Sequence, residues 1–424
     1  MLNYFLYSFN VLDSVYRRGA YCSVELNEIL PSLPPRDRKL VTRLVHGVLE
    51  HEQEWNYILG KLCKKQPKAV CRVLLKLGMY CIKYMRVLPD YACVNELVEL
   101  TKGVKREMVG FVNATLKAYI PVQNDLPTQG IEGVSIRSNM PIWLINRYYD
   151  QYGIEEGLRI VQERYNHTHV RWNERTYSRI KLRNYLIDNG ISAEDTPHGY
   201  LVHSTEPLSE LLAEGKITVQ ALDSIYICRA LMGAKGLGKG RILDICAAPG
   251  GKSVYLAEHN PEAEVVAADL HPHRVALLKD YASRMHTPNV SAEVWDSTEL
   301  REEWLNAFDA VLVDAPCSGL GVIGSNPDIL LNRTEMALDT LPEQQYRLLC
   351  NAAKYVVNGG VLVYSTCTNM REENSNVVMR FLLAHPEFAL EGMEELPENG
   401  GMYQFQSDKM GNDGFFVARM RRTV

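Results

Sequence analysis

The spacing of apolar residues along the chain is helical over the first 120 positions. Five segments place apolar side chains on one stripe of a helix, which predicts helices that bury one face against each other. These segments are residues 9–18, 40–55, 69–85, 94–102 and 109–119. A proline-rich loop at residues 31–35 precedes the second segment, where Asp37 can cap the helix. The pattern predicts an all-α bundle over residues 1–122.

The pattern is mixed in the middle of the chain. Residues 120–136 are polar and rich in Gly, Pro, Asn and Gln, which indicates a linker. Residues 141–165 are again helical in pattern, and residues 169–173 are strand-like. Short strands and helices then alternate to about Lys216, which predicts a small α/β module over residues 137–216.

From residue 217 onward, short β-branched apolar runs alternate with helical segments. This alternation predicts an open α/β sheet over residues 217–424. Each strand-like run is followed by a polar or reactive feature, namely a glycine turn, Asp269, Asp296, Asp314 and Cys367. Because the carboxyl ends of parallel strands meet at one edge of such a sheet, these side chains are expected to share one crevice.

The first strand-like run of this sheet leads into the glycine turn. Residues 241–253 predict a buried strand, a break at residues 249–251 and the start of a helix. Such a turn lets a nucleoside-like ligand approach the backbone, and Asp269 stands where doubly wound sheets place a carboxylate for ribose hydroxyls. The turn lacks the Gly-x-Gly-x-x-Gly pattern, which argues against a nicotinamide cofactor. A structural Gly-Gly turn is the alternative, as helix capping is for Asp269 and Asp296.

Composition is ordinary for a globular protein, but charge is unevenly distributed. The 424 residues are 46% hydrophobic and carry a net charge of −5, and this length allows roughly two to four domains. Residues 1–120 hold 18 Lys and Arg against 11 Asp and Glu, a charge of +7, so the remainder carries −12. A positive domain attracts phosphate by counterion release, which favours RNA binding. Ordinary solvation of helix faces is the alternative.

Targeting and cysteine patterns predict a reducing, cytoplasmic location. The apolar start, residues 1–9, is short and lacks a basic leader and a cleavage site, so a core helix is expected rather than a signal peptide. No run reaches the roughly 18 apolar residues of a membrane span. The 10 cysteines contain no Cys-x-x-Cys pair, so we expect neither a disulfide framework nor a zinc site.

Six separated motifs follow one another in the chain. They are Asp244-Ile-Cys-Ala-Ala-Pro-Gly-Gly-Lys252, Asp314-Ala-Pro-Cys-Ser-Gly319, Asn326-Pro-Asp328, Tyr364-Ser-Thr-Cys367, Glu373-Asn374 and Asp413-Gly-Phe-Phe416. In this order they closely resemble the motifs of RNA cytosine-5 methyltransferases that use S-adenosylmethionine, and among these the RsmB (Sun) family. The early segments Arg36-Asp-Arg38, Gly47-Val-Leu49 and Phe111-Val-Asn-Ala114 resemble the NusB-like RNA-binding domain that begins such proteins. The resemblance implies a NusB-like bundle, a small α/β RNA-binding module and a Rossmann-like domain with a doubly wound seven-stranded sheet.

Methylation of carbon 5 of cytosine requires a nucleophile at carbon 6, because carbon 5 of the aromatic ring is not itself nucleophilic. A thiolate suits this addition best, and the resemblance makes Cys367 the nucleophile. A free thiol has a pKa of about 8.5, so the site must favour the thiolate. The resemblance assigns release of the methylated RNA to Cys317, and Asp314 is expected to hydrogen-bond the cytosine ring while facing the cofactor. A lone cysteine is usually a small buried hydrophobe, but two cysteines at two strand tips favour catalysis.

The resemblance also assigns the S-adenosylmethionine pocket. Its residues are Cys246, Ala247, Ala248, Pro249, Gly250, Gly251, Lys252, Asp269, Asp296 and Asp314. Asp269 is expected to accept both ribose hydroxyls, and Asp296 to accept from the adenine amino group. Asn326-Pro-Asp328 is expected to shape the cytosine pocket, with an ordinary turn as the alternative. Glu373-Asn374, another of the six motifs, begins the last helix. Capping of that helix is the alternative to a role in the site.

The chain departs from the family pattern at three places. Ala221 stands where the family has an acidic residue, with Asp223 two positions later, which leaves the role of that position open. Gly324-Ser325 stands where basic residues are common, so these two residues offer no charge to an RNA phosphate and substrate preference can differ. Asn166-His-Thr-His169 replaces a stretch in which prolines are usual.

The sequence therefore predicts a monomeric enzyme that methylates carbon 5 of a cytosine in small-subunit ribosomal RNA or its precursor, through a covalent cysteine–cytosine intermediate. The target base must leave its stack, at a cost of a few kcal/mol, and the basic helical domain can hold the flanking phosphates. Two alternatives are the same chemistry on transfer RNA and a non-catalytic RNA-binding ribosome assembly factor. The helical domain favours ribosomal RNA, and the paired cysteines with the intact glycine turn favour catalysis.

Overall fold

The chain folds into two compact units. The structure, a computed structural model, describes residues 3–85, 88–165, 168–233, 236–397 and 399–423. Unit 1 comprises Met1–Gln162 and Asn326–Arg333, and unit 2 comprises Glu163–Ser325 and Thr334–Val424. Each unit has a hydrophobic core of its own.

Every regular element in the described part of unit 1 is helical, which confirms the predicted all-α bundle. The helices are α1 (Asn3–Arg18), α2 (Cys22–Ile29), α3 (Pro35–Leu49), α4 (Glu52–Leu62), α5 (Ala69–Tyr80), α6 (Asp90–Val104), α7 (Val109–Tyr119), α8 (Gly130–Ser138), α9 (Ile142–Tyr152), α10 (Ile154–Gln162) and, later in the chain, α16 (Ile329–Asn332). A π-helical turn, Cys81–Met85, extends α5. The apolar stripes meet in a core that includes Leu44, Trp55, Leu74 and Leu97, all fully buried.

The predicted helix over residues 40–55 is two helices, because the chain leaves helical hydrogen bonding at residues 50–51. The side chain of Asn139 stabilises this break from a distant part of the sequence. It accepts a hydrogen bond from the backbone N–H of Gln53 at 3.0 Å and donates to the carbonyl of Leu49 at 2.8 Å. A local apolar pattern carries no signal for such a contact.

Asp37 does not cap α3. The N-cap position is Pro34, and Asp37 lies inside the first turn, where a carboxylate interacts favourably with the positive end of the helix dipole. The predicted linker, residues 120–136, is also more ordered than its composition indicates, since it contains a 3₁₀ turn, Ile120–Val122, and most of α8.

The predicted small module, residues 137–216, is divided between the two units. Helices α9 and α10 belong to unit 1, whereas the strands of the module belong to unit 2. Contacts such as those of Asn139 explain why the first part of this region packs with the bundle. The three-part division at residues 122, 137 and 216 stays a prediction.

Unit 2 begins with a small antiparallel sheet. Its elements are β1 (Thr168–Trp172), α11 (Arg179–Asp188), β2 (Ala193–Thr196), β3 (Gly199–Val202), α12 (Ser209–Ala213) and β4 (Ile217–Val219). Among the described residues the strand order is β2-β3-β1-β4, which confirms the predicted alternation of short strands and helices. Two residues of the third family departure, Asn166 and His167, lie outside the described residues.

The rest of unit 2 is a doubly wound sheet, as predicted. Its elements are α13 (Leu222–Met232), β5 (Arg241–Asp244), α14 (Gly251–His259), β6 (Glu264–Asp269), α15 (Pro272–Arg284), β7 (Val290–Val294), β8 (Phe308–Asp314), α17 (Glu335–Tyr355), β9 (Val356–Thr366), α18 (Ser375–Ala384), β10 (Phe388–Leu390), β11 (Met402–Gln404) and β12 (Phe416–Arg422). Within the described chain, seven strands follow the order β10-β12-β9-β8-β5-β6-β7, and short β11 pairs with β12 as an eighth. Strands β5 to β9 pair in parallel, and β12 is antiparallel to β9.

Both faces of the central part of the large sheet are covered, which explains why the runs 265–268 of β6 and 310–313 of β8 are continuously apolar. On β8, Val311 and Val313 pack in the core that contains α17 and α18, whereas Leu312 packs in the core that contains α13 and α14. A parallel sheet buried in this way exposes its polar side chains at the strand ends, which positions the site.

Arg171 fixes the small sheet to the large domain. Its guanidinium lies 2.5 Å from the carboxylate of Glu258 on α14, and its Nε donates to Gln220 at 2.6 Å. The amide of Gln220 in turn donates to the carbonyl of Gly251 in the glycine turn, at 3.1 Å. Because both charges are buried, removal of one partner would leave the other unpaired, at a cost of about 3–5 kcal/mol.

No helix in the described part of the chain is both long enough and apolar enough to cross a bilayer. The cytoplasmic location and the monomeric state stay predictions.

Candidate active site

The carboxyl ends of neighbouring strands surround a cavity of about 200 Å³ at one edge of the large sheet. Four of the residues predicted to bind the cofactor line it: Cys246, Asp269, Asp296 and Asp314. Each follows or ends a different strand, β5, β6, β7 or β8. The structure therefore brings these four side chains together.

The other predicted cofactor residues, Ala247, Ala248, Pro249, Gly250, Gly251 and Lys252, form the turn beside the cavity and the first residues of α14. Gly250 has a φ of +110°, and a Cβ there would lie 2.9 Å from a side-chain carbon of Leu278. Only glycine combines this backbone conformation with so close an approach. The conformation of this turn therefore depends on a glycine at position 250.

Asp269 connects the turn to the start of α15. One carboxylate oxygen accepts from the N–H of Ala248 at 3.2 Å, and the other accepts from the N–H of His271 at 3.1 Å. Arg274 lies 3.4 Å from the same carboxylate and donates to the carbonyl of Ala248. These contacts hold Asp269 in one position at the cavity wall.

Asp296 is held at the cavity by Thr298. Its Oδ1 accepts from the hydroxyl of Thr298 at 2.7 Å and from the N–H of the same residue at 2.9 Å. These two hydrogen bonds lower the pKa of Asp296, so it presents an ionised carboxylate at neutral pH. An ionised carboxylate is an acceptor of hydrogen bonds only.

The two predicted catalytic cysteines are neighbours. Cys317 follows β8 and Cys367 follows β9, and their Sγ atoms lie 3.3 Å apart. The backbone N–H of Cys367 also donates to the sulfur of Cys317, at 3.3 Å. The hydrogen bond between the thiols and the burial of Cys317 raise the pKa of Cys317 well above its ordinary value. Cys317 therefore holds its proton more tightly than an ordinary thiol.

Lys252 supplies positive charge to the site. Its ammonium lies 2.7 Å from Asp314, whose other oxygen accepts from the hydroxyl of Ser365 at 2.8 Å. Burial acts against the charge of Lys252, but the charge of Asp314 and its hydrogen bond outweigh this, so the pKa of Lys252 is raised. A cation that stays charged in a buried site stabilises nearby anions.

Glu373 and Asn374 hold the two cysteine loops, a role that sequence reasoning missed. The carboxylate of Glu373 accepts from the N–H and the hydroxyl of Ser318, at 2.8 Å and 2.5 Å. The side chain of Asn374 accepts from Thr366 at 2.5 Å and donates to the carbonyl of Thr368 at 2.8 Å. Asn374 occupies the N-cap position of α18 without capping it. The pairing of the two residues in one motif is the sequence signal that could have indicated this role.

Asp328 of the Asn326-Pro-Asp328 motif belongs to unit 1. Its carboxylate is buried and accepts from the N–H of Cys22, the first residue of α2, at 3.0 Å. The residues that line the cavity in unit 2 do not include it. Its predicted role at the cytosine pocket stays a prediction.

The departures at residues 221 and 324 have local explanations. Ala221 precedes α13, and the acidic Asp223 of that helix is buried and accepts from the N–H of Asp413 at 2.7 Å. At Gly324 an added Cβ would lie 2.3 Å from the carbonyl oxygen of Tyr165. A larger residue at position 324 therefore requires the backbone to move.

Comparison with known proteins agrees with this architecture. The model of the 16S rRNA methyltransferase RsmB/F family matches residues 237–421, and that of the NusB family matches residues 6–121. The probable ribosomal RNA small subunit methyltransferase B of Bacillus subtilis is 32% identical over 438 residues, covering 97% of both chains. The ribosomal RNA small subunit methyltransferase B of Pasteurella multocida is 30% identical over 433 residues, covering 98% of this chain and 95% of that protein.

Solved structures show the same fold. The crystal structure of PH0851 covers 98% of this chain and 97% of its own, with a TM-score of 0.83 at 22% identity. A methyltransferase homolog protein from Pyrococcus horikoshii covers 69% and 98%, with a TM-score of 0.59 at 25% identity. The doubly wound sheet, its cavity and the helical amino-terminal unit thus define an α/β methyltransferase that carries a NusB domain. The chain belongs to the RsmB/F family of 16S rRNA methyltransferases, which confirms the resemblance found in its motifs.

Proposed function

We propose that this enzyme transfers the methyl group of S-adenosylmethionine to carbon 5 of a cytosine in small-subunit ribosomal RNA, through a covalent bond between Cys367 and carbon 6. The observation that carries the proposal is the thiol pair of Cys317 and Cys367, 3.3 Å apart. The same sheet edge holds the Lys252–Asp314 ion pair and the cavity. The names of the relatives from B. subtilis and P. multocida support the substrate class.

The cavity has the donors and acceptors that S-adenosylmethionine needs. Asp269 offers carboxylate oxygens to ribose hydroxyls, and Asp296 offers an acceptor to the adenine amino group. Trp295 also lines the cavity, and its buried Nε1 has no hydrogen-bond partner within the described chain. When bound, S-adenosylmethionine supplies an electrophilic methyl group on a sulfonium.

Cys367 begins the reaction as a thiolate that adds to carbon 6, which moves an electron pair to carbon 5. The Lys252 ammonium, whose raised pKa keeps it charged, supplies a cation at the same sheet edge. The high pKa that the thiol pair and burial give Cys317 keeps that residue protonated. Cys317 can then donate its S–H to the sulfur of Cys367. Asp314 offers an acceptor for the exocyclic amino group of the cytosine, which orients the ring.

Release of the product requires that carbon 5 lose its proton and that the bond between carbon 6 and Cys367 break. In our proposal the thiol proton of Cys317 passes to the leaving sulfur of Cys367, and Cys317 takes the proton from carbon 5. The exchange balances, because both cysteines end as thiols and the ring regains its aromaticity. The separation of 3.3 Å between the two sulfurs suits this transfer.

The helical unit binds the RNA backbone in this proposal. Its charge of +7 over residues 1–120 is carried partly by exposed side chains of α3 and of the turn between α4 and α5. Among them are Arg36, Arg43, Lys64, Lys65 and Lys68. Phosphate contacts from such residues give affinity without sequence specificity, so the choice of cytosine falls to the catalytic unit.

The test is transfer of labelled methyl from S-adenosylmethionine into separately purified small-subunit ribosomal RNA and transfer RNA, followed by nucleoside analysis. We expect 5-methylcytidine in the ribosomal RNA. Label in transfer RNA alone would contradict the substrate and keep the chemistry. Absence of label from both RNAs and from a precursor particle would favour the non-catalytic assembly factor.

The covalent step is tested with cysteine variants. Cys367→Ala should abolish transfer, because no nucleophile is left. Cys317→Ala should accumulate an RNA adduct that survives denaturing electrophoresis, because release lacks its proton carrier. Cys350→Ala is the matched control, since Cys350 is a half-buried cysteine on α17 away from the thiol pair. Full turnover in the first variant, or no adduct in the second, would contradict the assigned roles.

A further inference from the structure

Asp223 is a buried carboxyl group that the proposed reaction does not use. It is the second residue of α13, and its exposed fraction is 0%. Its Oδ2 accepts from the N–H of Asp413 at 2.7 Å, whereas its Oδ1 has no hydrogen-bond partner in the part of the chain that the structure describes. Burial of a carboxyl with an unused oxygen lowers stability, so this residue is expected to have another use.

The residue after Asp413 connects this carboxyl to the nucleophile. The N–H of Gly414 donates to the carbonyl of Gly321 at 2.9 Å, and the N–H of Gly321 donates to the carbonyl of Cys367 at 3.0 Å. The two glycine backbones are in direct contact, since a Cβ on Gly321 would lie 1.9 Å from the carbonyl oxygen of Gly414. Three hydrogen bonds, joined through the backbone of residues 413–414 and of Gly321, thus connect Asp223 to the backbone of Cys367.

The next two residues of the Asp413-Gly-Phe-Phe416 motif touch the site as well. The ring of Phe415 lies 5.4 Å from the ammonium of Lys252, within reach of a cation–π contact. Phe416 pairs with Thr366, the residue before Cys367, in the ladder between β12 and β9. Motion of residues 413–416 would therefore reach both the nucleophile and the cation beside it.

We infer that Asp223 is a positioning residue for Cys367, which acts through residues 413–416 and Gly321 to hold the nucleophile in its reactive place. The inference rests on the proposed function, in which Cys367 attacks the cytosine. The positioning role also explains why residue 223 is acidic in this chain, whereas the family pattern has its acidic residue two positions earlier, at the place of Ala221. A displacement of about 1 Å at a reacting atom lowers the rate of a reaction by about 100-fold.

The pKa of Asp223 depends on its burial, on the carboxyl groups of Asp413 and Asp408 and on the ammonium of Lys252. Burial raises the pKa of Asp223 well above its ordinary value, and the charges of Asp413 and Asp408 add to this, while Lys252 opposes it. Burial and Asp408 also raise the pKa of Asp413, to about 7. Asparagine is the conservative replacement for Asp223, because its amide oxygen accepts the hydrogen bond of Asp413 as the carboxyl oxygen does.

The experiment compares Asp223→Ala with Asp223→Asn under single-turnover conditions. The substrate is RNA that contains 5-fluorocytidine, because carbon 5 cannot lose fluorine as a cation and the Cys367 adduct is trapped. At saturating RNA and S-adenosylmethionine, Asp223→Ala should slow adduct formation about 100-fold. Asp223→Asn should stay within about threefold of wild type, since its amide oxygen still accepts the hydrogen bond of Asp413. Affinity for S-adenosylmethionine, measured by calorimetry, should be unchanged in both.

Two further variants separate positioning from loss of stability. Gly321→Ala displaces the same hydrogen-bonded segment near its other end, because the added Cβ would lie 1.9 Å from the carbonyl oxygen of Gly414. It should also slow adduct formation. Val265→Ala changes a fully buried position on β6, three strands away from β9 in the sheet. It lowers stability and should form the adduct at the wild-type rate below its melting temperature.

The outcomes distinguish this inference from the proposed function. Failure of the wild-type enzyme to form any adduct would contradict the covalent mechanism itself. A normal adduct in wild type and an unchanged rate in both Asp223→Ala and Gly321→Ala would overturn the positioning role. An equal loss of rate in Asp223→Ala and Asp223→Asn, or a loss matched by Val265→Ala, would overturn it as well.

Discussion

The sulfur atoms of Cys317 and Cys367 lie 3.3 Å apart at the ends of two adjacent parallel strands. Two thiols this close react with each other when one is oxidised, because the second is already in place to displace the oxidised group. The arrangement that suits proton exchange during methyl transfer thus also exposes the site to oxidation.

We expect hydrogen peroxide to join Cys317 and Cys367 in a disulfide. The Cys367 thiolate takes an oxygen from peroxide to form a sulfenic acid, and the Cys317 thiol then displaces it as water. Mass spectrometry of the joined peptides should show the bond, methyl transfer should be lost, and a thiol reductant should restore it. In Cys317→Ala the same treatment should leave Cys367 as a sulfenic acid or a higher oxide. Absence of the joined peptides from the peroxide-treated wild-type enzyme, or loss of activity that a thiol reductant does not reverse there, would contradict the disulfide.

Glu373 is expected to be essential for the position of the Cys317 loop. Glu373→Ala removes the acceptor for the N–H and hydroxyl of Ser318 and for the amide of Gln345, at 2.9 Å. Buried donors left without a partner cost about 1–3 kcal/mol each, so urea unfolding should show a loss of several kcal/mol and adduct release should slow. Glu343→Ala is the control, because that exposed residue pairs at the surface with Arg380. Equal effects of the two substitutions would refute the role of Glu373.

The contribution of Asp244 to stability should depend on pH. Burial raises the pKa of Asp244 to about 7 from an ordinary value of 3.8, although Ser253 donates to it. Since the unfolded chain loses this proton at lower pH than the folded chain, stability falls as pH rises from about 4 to about 7. The stability of Asp244→Asn relative to wild type should therefore be greater at pH 8 than at pH 4.5, by about 3 kcal/mol. Parallel pH curves of unfolding free energy would contradict this.

The helical unit should bind RNA largely through phosphates. Replacing Lys64 and Lys65, both exposed between α4 and α5, by alanine should weaken binding to all RNAs alike. The slope of log affinity against log salt should also decrease in magnitude, by about 0.7–0.9 for each phosphate that is no longer neutralised. A double alanine variant of Lys239 and Lys354, exposed in unit 2, removes the same charge and serves as the control. An unchanged slope in the first variant would contradict binding at this turn.

The local sequence predicted well which residues of the site lie at the ends of strands. A strand buried on both faces must be continuously apolar, so Asp269 and Asp314 stood out as the first polar residues after such runs, and they end β6 and β8. The helix stripes of the bundle were equally visible, for the same reason of burial. The bounds of α7, Val109–Tyr119, are those predicted from its apolar periodicity.

Contacts between distant residues were not predictable in this way. The break before α4 depends on Asn139, and the Cys317 loop depends on Glu373, 55 residues beyond Ser318. From local sequence alone, an acidic residue at the start of a helix is expected to cap that helix. Glu373 instead makes a tertiary contact with the Cys317 loop. The burial of Asp223 and the place of Asp328 in unit 1 likewise follow from packing that no short window of sequence contains.

Unit 1 is assembled from two separate stretches of the gene, since Asp328 and Leu331 pack with helices encoded some three hundred codons earlier. Recombination that exchanged only the codons for the first 162 residues would pair a new bundle with the old insert, and the N–H of Cys22 would be left without its acceptor. The bundle and the insert must therefore be inherited together. Substitutions around Cys22 and Asp328 are expected to change in concert among relatives, whereas surface positions of the bundle are expected to vary independently.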